Sequence, residues 1–274
     1  MKNHIIFVIL LWINICKGRI ALTKSQLYLI LECAVRLTEY GAEIYRVEES
    51  ITRMCSAYGC VRVHSYATPS NIIVSGENPQ GEVLTQTRRV QKSGTDIEKL
   101  HALNDLVRKV CSNEITDKRF SDELERIDKI GRFPMIIEIL FYGIIASAFC
   151  LFFGGRQVNE VLFAFLIGAV VGVISKLLEK INANKMFARF LCSTVASLGA
   201  FLLLRLGLVV TVDNIIIGNI MTLIPGIGLT NSLRDLFMGD TVTGVLRSIE
   251  AILLATSIAL GYFAAAFLLG GLYI

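Results

Sequence analysis

From Phe133 to Ile274 the chain carries only 15 Asp, Glu, Lys and Arg residues, whereas Met1 to Arg132 carries 35. A chain so divided cannot fold as a single water-soluble core. Its hydrophobic content of 54% also exceeds the roughly 45 to 50% usual for soluble domains. The second half therefore needs a bilayer, and the first half has the charge and length of a soluble domain. Five apolar segments lie near Met135–Phe153, Val158–Ser175, Phe187–Leu204, Leu208–Ile224 and Ser248–Leu272. Each is about 17 to 25 residues long, enough for a tilted transmembrane helix.

The flanking cations orient these segments. Lys129 and Arg132 precede the first, Lys176, Lys180, Lys185 and Arg189 surround the second-to-third connection, and Arg234 and Arg247 lie between the fourth and fifth. Only Arg156 and Arg205 fall on the other side. The positive-inside rule then places the N-terminal domain in the cytoplasm and Ile274 outside, as in an inner-membrane protein. Seven cysteines, at 16, 33, 55, 60, 111, 150 and 192, show neither paired C-x-x-C spacing nor a metal-ligand pattern. They read as free thiols in a reducing compartment, and no metal or cofactor is expected. A net charge of +4 without a basic run gives no support for nucleic-acid binding.

The soluble half is legible in its periodicities. Thr23-Lys-Ser-Gln26 forms a capping box ahead of Leu27, Ile30, Leu31, Ala34 and Val35 at helical spacing, and Gly41 ends that run. Ile44, Val47, Ile51, Met54, Cys55 and Tyr58 make the stripe of a second helix, with Glu43, Arg46, Glu49 and Arg53 as its charged ladder. After Gly59 the period falls to two, and three short antiparallel strands follow. Thr95-Asp-Ile-Glu98 opens a third helix, and a fourth runs from about Asp117 to Lys129. The expected fold class is an α-helical membrane protein with five transmembrane helices, preceded by a small soluble α+β domain. Its boundaries are an apolar N-terminal segment over 1–22, a cytoplasmic α+β domain over 23–131 and a five-helix membrane domain over 132–274. The first segment reads as an interfacial anchor or a product of start-site choice, with a signal sequence or extra helix as the alternative.

Ionisable and polar groups inside apolar segments are functional candidates because hydrocarbon penalises them. They are Glu138 in the first segment and Asp213, Asn214 and Asn219 in the fourth. Glu138 reads equally as a headgroup-level carboxylate, and Asp213 as a helix N-cap. Between the last two segments stands LIPGIGLTNSLRDLFMGD, Leu223 to Asp240. Pro225-Gly226 is expected to stop the fourth span, Thr230 or Asn231 to cap a short helix, Gly239 to end it and Asp240 to cap the next. The stretch is either a well-capped cytoplasmic turn or a broken element in which freed backbone groups, Asn231, Arg234 and Asp235 line a solute or proton path. Gly168 and Gly172 permit close helix packing. Enzyme signatures are sparse, and a hydrolase would rest only on Ser70 or Cys60 near His64.

Two blocks carry a resemblance. GAEIYRVEESI from Gly41, with TPSNIIVSG and TRRV downstream, and LIPGIGLTNSLRDLFMGDTVTGVLR from Leu223 resemble the threonine/serine exporter family. The matching positions are Gly41, Glu43, Arg46, Val47 and Glu48, then Pro225, Gly226, Asn231, Arg234, Asp235, Gly239 and Asp240. Full-length members carry about ten spans, so five spans imply the longer subunit of the divided form, which works with a small membrane-only partner and includes a bacterial succinate exporter. The resemblance implies proton-driven export of threonine, serine or a dicarboxylate. Five spans cannot form paired internal repeats, which independently implies a partner subunit or a homo-oligomer. A membrane-anchored regulatory or scaffold protein is the competing class.

Overall fold

A computed structural model describes residues 22–92, 94–131 and 133–270. The expected anchor over 1–22 falls almost wholly outside the described residues. The chain divides into two compact units: residues 1–131 with Asp235–Gly244, and residues 132–234 with Val245–Ile274.

The first unit begins with α1 (Lys24–Glu39) and α2 (Ile44–Ala57). Thr23 caps α1 through its side chain, and Gln26 returns the bond to the Thr23 amide, closing the capping box. Between the helices Gly41 has φ +93°, and an added Cβ would come within 3.0 Å of the Gly94 carbonyl oxygen. Strands β1 (Arg62–Ala67), β2 (Asn71–Glu77) and β3 (Val83–Arg89) form an antiparallel sheet in chain order. Ile72 and Val74 on the central strand face the core while Ile73 between them is exposed, the period of two expected of a sheet covered on one side. Helices α3 (Ile97–Cys111) and α4 (Asp117–Asp128) complete the layer. Asp96 rather than Thr95 caps α3. Both ends of α4 are tied to the first two helices. Asp117 accepts from Gln26 and Tyr58, and Asp128 accepts from Arg36 and Tyr40. The phenols of Tyr40 and Tyr58 are pushed up, chiefly by burial and then by these carboxylates.

The second unit is helical: α5 (Met135–Phe152), α6 (Val158–Lys180), α7 (Lys185–Arg205), α8 (Asp213–Met221), α9 (Gly226–Phe237) and α10 (Thr241–Ala265), the last continuing as a π turn over Ala266–Gly270. Among the described residues four helices are long and apolar enough to cross a membrane, and α8 with α9 adds a bent pair at 58°. The expected fourth span is thereby corrected. Leu208–Val212 is not helical, because Gly207 at φ +69° ends α7 and the run Val209-Val-Thr-Val212 is β-branched. Val209 and Val212 are nevertheless buried in the helix core. Exposed faces of α5 and α6 carry Ile136, Leu140, Ile144, Leu162 and Leu166, the apolar exterior that suits lipid and not water.

Small residues set how closely these helices approach. A Cβ on Gly168 would lie 2.7 Å from Ala146 Cβ, and one on Gly218 would lie 2.5 Å from the Ala146 carbonyl oxygen. Helices α6 and α8 thus seat directly on the backbone of α5. Gly168→Leu is expected to cost at least about 1 to 3 kcal/mol and to lower the melting temperature of the detergent-solubilised protein. Gly131→Ala, where an added Cβ meets nothing within 4 Å, should leave it unchanged. Equal melting temperatures for the two variants would mean that α5 and α6 have room to part.

Candidate functional site

Helix α8 ends at Met221, and three residues of irregular backbone precede Pro225. The Thr222 amide donates to Asn219 O, the Leu223 amide to Ile220 O and the Gly226 amide to Ile224 O, so the turn satisfies its own donors. Pro225 has no N–H to lose, and its carbonyl accepts the first bond of α9 from Leu229 at 3.0 Å. Helix α9 therefore begins four residues earlier than Thr230. That corrects the expected cap: Thr230 and Asn231 lie inside α9, where Thr230 Oγ1 donates back to Gly226 O at 3.0 Å. An added Cβ at Gly226 would meet nothing within 4 Å, and one at Gly228 only Pro225 Cβ at 3.9 Å. The first-turn amides of α9 are accordingly at an open, electropositive helix end.

At its other end α9 closes in a Schellman motif. The Asp240 amide donates to Asp235 O at 2.9 Å and the Gly239 amide to Leu236 O at 3.2 Å, with Gly239 at φ +94°. Asp240 then opens α10, its carbonyl accepting from the Gly244 amide at 2.9 Å. A Cβ on Gly244 would lie 2.6 Å from Leu236 Cγ, so only glycine lets the two helices turn so tightly. The Gly-Asp pair of the sequence motif is this corner. On α9 itself, Asn231 is three residues from Arg234 and four from Asp235, which puts it beside both. Arg234 is exposed and Asp235 fully buried, as neighbours about 100° apart on a helix permit.

The first unit joins two motif residues from distant parts of the sequence. Glu48 on α2 accepts the Ala67 amide at 2.7 Å and lies within electrostatic reach of Asp240. Partial burial, followed by the Asp240 charge, pushes the Glu48 carboxyl above its ordinary value against the opposing Ala67 bond. The remaining soluble-domain candidates build the approach to α2. Gly41 makes the turn, Glu43 stands at the N-cap, and Arg46 pairs with Glu43 at 3.0 Å.

The other candidates are scattered. Glu138 in the first turn of α5 pairs with Lys176 near the end of α6, which also meets Glu179 at 3.0 Å. Asp213 is the first residue of α8 and exposed; Val212 takes the cap position, its carbonyl accepting from Ile216. That corrects the N-cap expectation by one residue and leaves Asp213 acting on the helix dipole. Asn219 is fully buried, its amide donating to Ile215 O at 2.9 Å and Ala164 O at 3.4 Å. Ser70 Oγ lies 3.4 Å from Thr68 Oγ1, and the Cys60 thiol hydrogen-bonds Cys55. Among the described residues neither Ser70 nor Cys60 hydrogen-bonds His64, so no nucleophile–base pair forms there. Sequence reasoning missed Glu160, which is 3% exposed and accepts from Thr211 Oγ1 at 2.9 Å. Its signal was weak: an acid three residues into an apolar segment looks like a headgroup-level residue.

The model of the threonine/serine exporter family matches residues 28–269, from the first helix of the soluble domain to the last described helix. The chain belongs to the threonine/serine exporter family. The "Probable succinate transporter subunit YjjP" of Klebsiella aerogenes is 29% identical over 238 residues, covering 85% of this chain and 90% of that protein. Its Escherichia coli namesake is 26% identical over 234 residues with the same coverage. The "Threonine/serine exporter" of Corynebacterium glutamicum is 28% identical over 254 residues, but these cover 86% of this chain and only 50% of that one. No solved structure matches the chain. Family membership makes it a transporter-family membrane protein with several spans.

Because Glu48 holds its proton more tightly in the folded chain, its contribution to stability is complete below its ordinary value of 4.5 and is lost as pH rises through the raised value. Glu48→Gln keeps an acceptor for the Ala67 amide and removes the charge. The variant should match the wild type in melting temperature at pH 4.5 and exceed it increasingly towards neutrality. A wild-type-minus-variant difference that does not change with pH would show that Asp240 and burial leave Glu48 unperturbed.

Proposed function

We propose that the chain is the larger subunit of a divided inner-membrane exporter, working with a smaller membrane subunit of the same family. It expels a small carboxylate-bearing metabolite, threonine, serine or a dicarboxylate such as succinate, at the expense of the proton-motive force. The carrying observation is the match to relatives whose printed name is that of a transporter subunit. The chain covers 90% of two proteins named as a probable succinate transporter subunit.

Five crossings fit this reading. Helices α8 and α9 are about 14 and 18 Å long, so neither spans the roughly 30 Å hydrocarbon core by itself. Asp235–Gly244 fold into the same compact unit as residues 1–131, which puts an even number of crossings between them. Helices α5, α6 and α7 supply three, the bent α8–α9 pair a fourth and α10 a fifth. With the cations of the sequence, this supports a cytoplasmic soluble domain and an outer Ile274.

The broken pair is the solute path. The first-turn amides of Ile227 and Gly228, which make no backbone bond among the described residues, and the Arg234 guanidinium both favour a carboxylate, and Asn231 supplies a neutral hydrogen-bonding group between Arg234 and Asp235. Breaks of this kind carry the binding sites of several transporter folds. Everted membrane vesicles from cells co-expressing the chain and its partner should accumulate labelled threonine, serine or succinate. Loss of one charge-assisted contact is worth about 1.5 to 3 kcal/mol, so Arg234→Ala should cut the rate roughly 10- to 100-fold at an unchanged membrane level. Undiminished accumulation removes Arg234 from the path. Wild-type vesicles that move none of the three solutes favour a scaffold protein.

A further inference from the structure

The apolar half holds one buried carboxylate that the solute path leaves unused. Glu160, in the first turn of α6, is 3% exposed. Among the described residues its one hydrogen bond is with Thr211 Oγ1, and no Lys or Arg pairs with it. Glu138 in the same unit is different, because Lys176 neutralises it. The groups around Glu160 are weak partners for a charge. From α5 the facing titratable group is the Cys150 thiol, and from the segment before α8 it is the Thr211 hydroxyl. Arg156, Arg205 and Asp213, the charged residues of the adjoining loops and helix ends, are exposed.

The polar surroundings continue inward along one seam. Ala164 lies one turn after Glu160 on the same face of α6, and its carbonyl meets Asn219 Nδ2 from α8 at 3.4 Å. Asn219 is fully buried, yet its Oδ1 has no hydrogen-bond partner among the described residues. Buried amide oxygens nearly always have one, so this atom is an acceptor open to a donor. Gly218 closes the seam against Ala146 and Cys150 of α5. Thr211, Glu160 and Asn219 thus form a short polar line that begins at the outer end of α6 and leads towards the break at Thr222.

We propose that Glu160 is the residue that takes up the driving proton from the outside and releases it inwards, with Thr211 as its hydrogen-bond partner and Asn219 Oδ1 as a hydrogen-bond acceptor beside the route. Each cycle binds one proton on the carboxylate from the outer solution and returns it to the cytoplasm, leaving Glu160 as it began. This rests on the exporter reading and gives its driving proton a carrier.

Everted vesicles containing the full chain and its partner separate the two ideas, using whichever of labelled threonine, serine or succinate the wild type moves. Glu160→Gln should retain exchange of internal for external solute, which moves no net proton, within about twofold of wild type. It should lose accumulation driven by an acid interior by about tenfold or more. Its exchange should also be independent of pH. Glu160→Asp should recover part of the driven accumulation with a shifted pH profile, a change that a merely structural carboxylate would not produce. Thr211→Val tests the same point without touching the carboxylate and should shift the pH profile while keeping driven accumulation. The proposal fails if Glu160→Gln still accumulates solute against the gradient, if exchange and accumulation fall together in both Glu160→Asp and Thr211→Val, or if a sodium gradient drives the wild type where a proton gradient does not. Wild-type vesicles with neither exchange nor accumulation remove the exporter reading itself, and this one with it.

Discussion

A peptide group that leaves a helix inside hydrocarbon must find a partner elsewhere, and this rule governs the whole C-terminal half. At the end of α8 the chain leaves helical geometry for three residues, and Thr222, Leu223 and Gly226 each donate to a carbonyl within reach. Pro225 removes one demand by having no N–H at all. The interruption is thereby nearly self-sufficient, and it leaves only the Ile227 and Gly228 amides of α9 without a backbone acceptor among the described residues. Glycines at 168 and 218 serve the same rule from the other side, since backbones in direct contact exclude lipid from the interior.

What the sequence revealed follows the range of the forces involved. Thr23 and Gln26 are three residues apart, and their reciprocal bonds could be read from identity alone; so could the left-handed ends at Gly41, Gly59 and Gly239. The fourth apolar segment misled because hydropathy counts side chains and ignores torsions. Leu208–Val212 is as apolar as a span and is buried in part, but a β-branched run following a left-handed glycine does not wind. Pairings over distance were hidden for another reason. Nothing local in GAEIYRVEESI or FMGD announces that Glu48 and Asp240 share a neighbourhood, and nothing near Glu160 announces Thr211, 51 residues later.

The charged residues of the apolar half divide by what neutralises them. Glu138 and Lys176 cancel one another near one end of α5 and α6, which lets both helices end at a polar boundary without exposing a bare charge. Asp213 is solvated and favours the start of α8 through the helix dipole. Arg234 and Asp235, though consecutive, look out in different directions, one exposed and one buried. Glu160 is buried with no salt bridge, unlike Glu138, and that contrast, more than its position in the sequence, sets it apart.

The two joints of α9 differ in slack. Towards α8 there are three irregular residues whose bonds are all short-range, so the angle there can change without breaking a helix. Towards α10 the three residues Met238, Gly239 and Asp240 are pinned by the Schellman bonds, with Gly244 locked over Leu236. In mechanical terms α9 is a rod hinged at one end and welded at the other. Any swing of it must carry the first turn of α10 along.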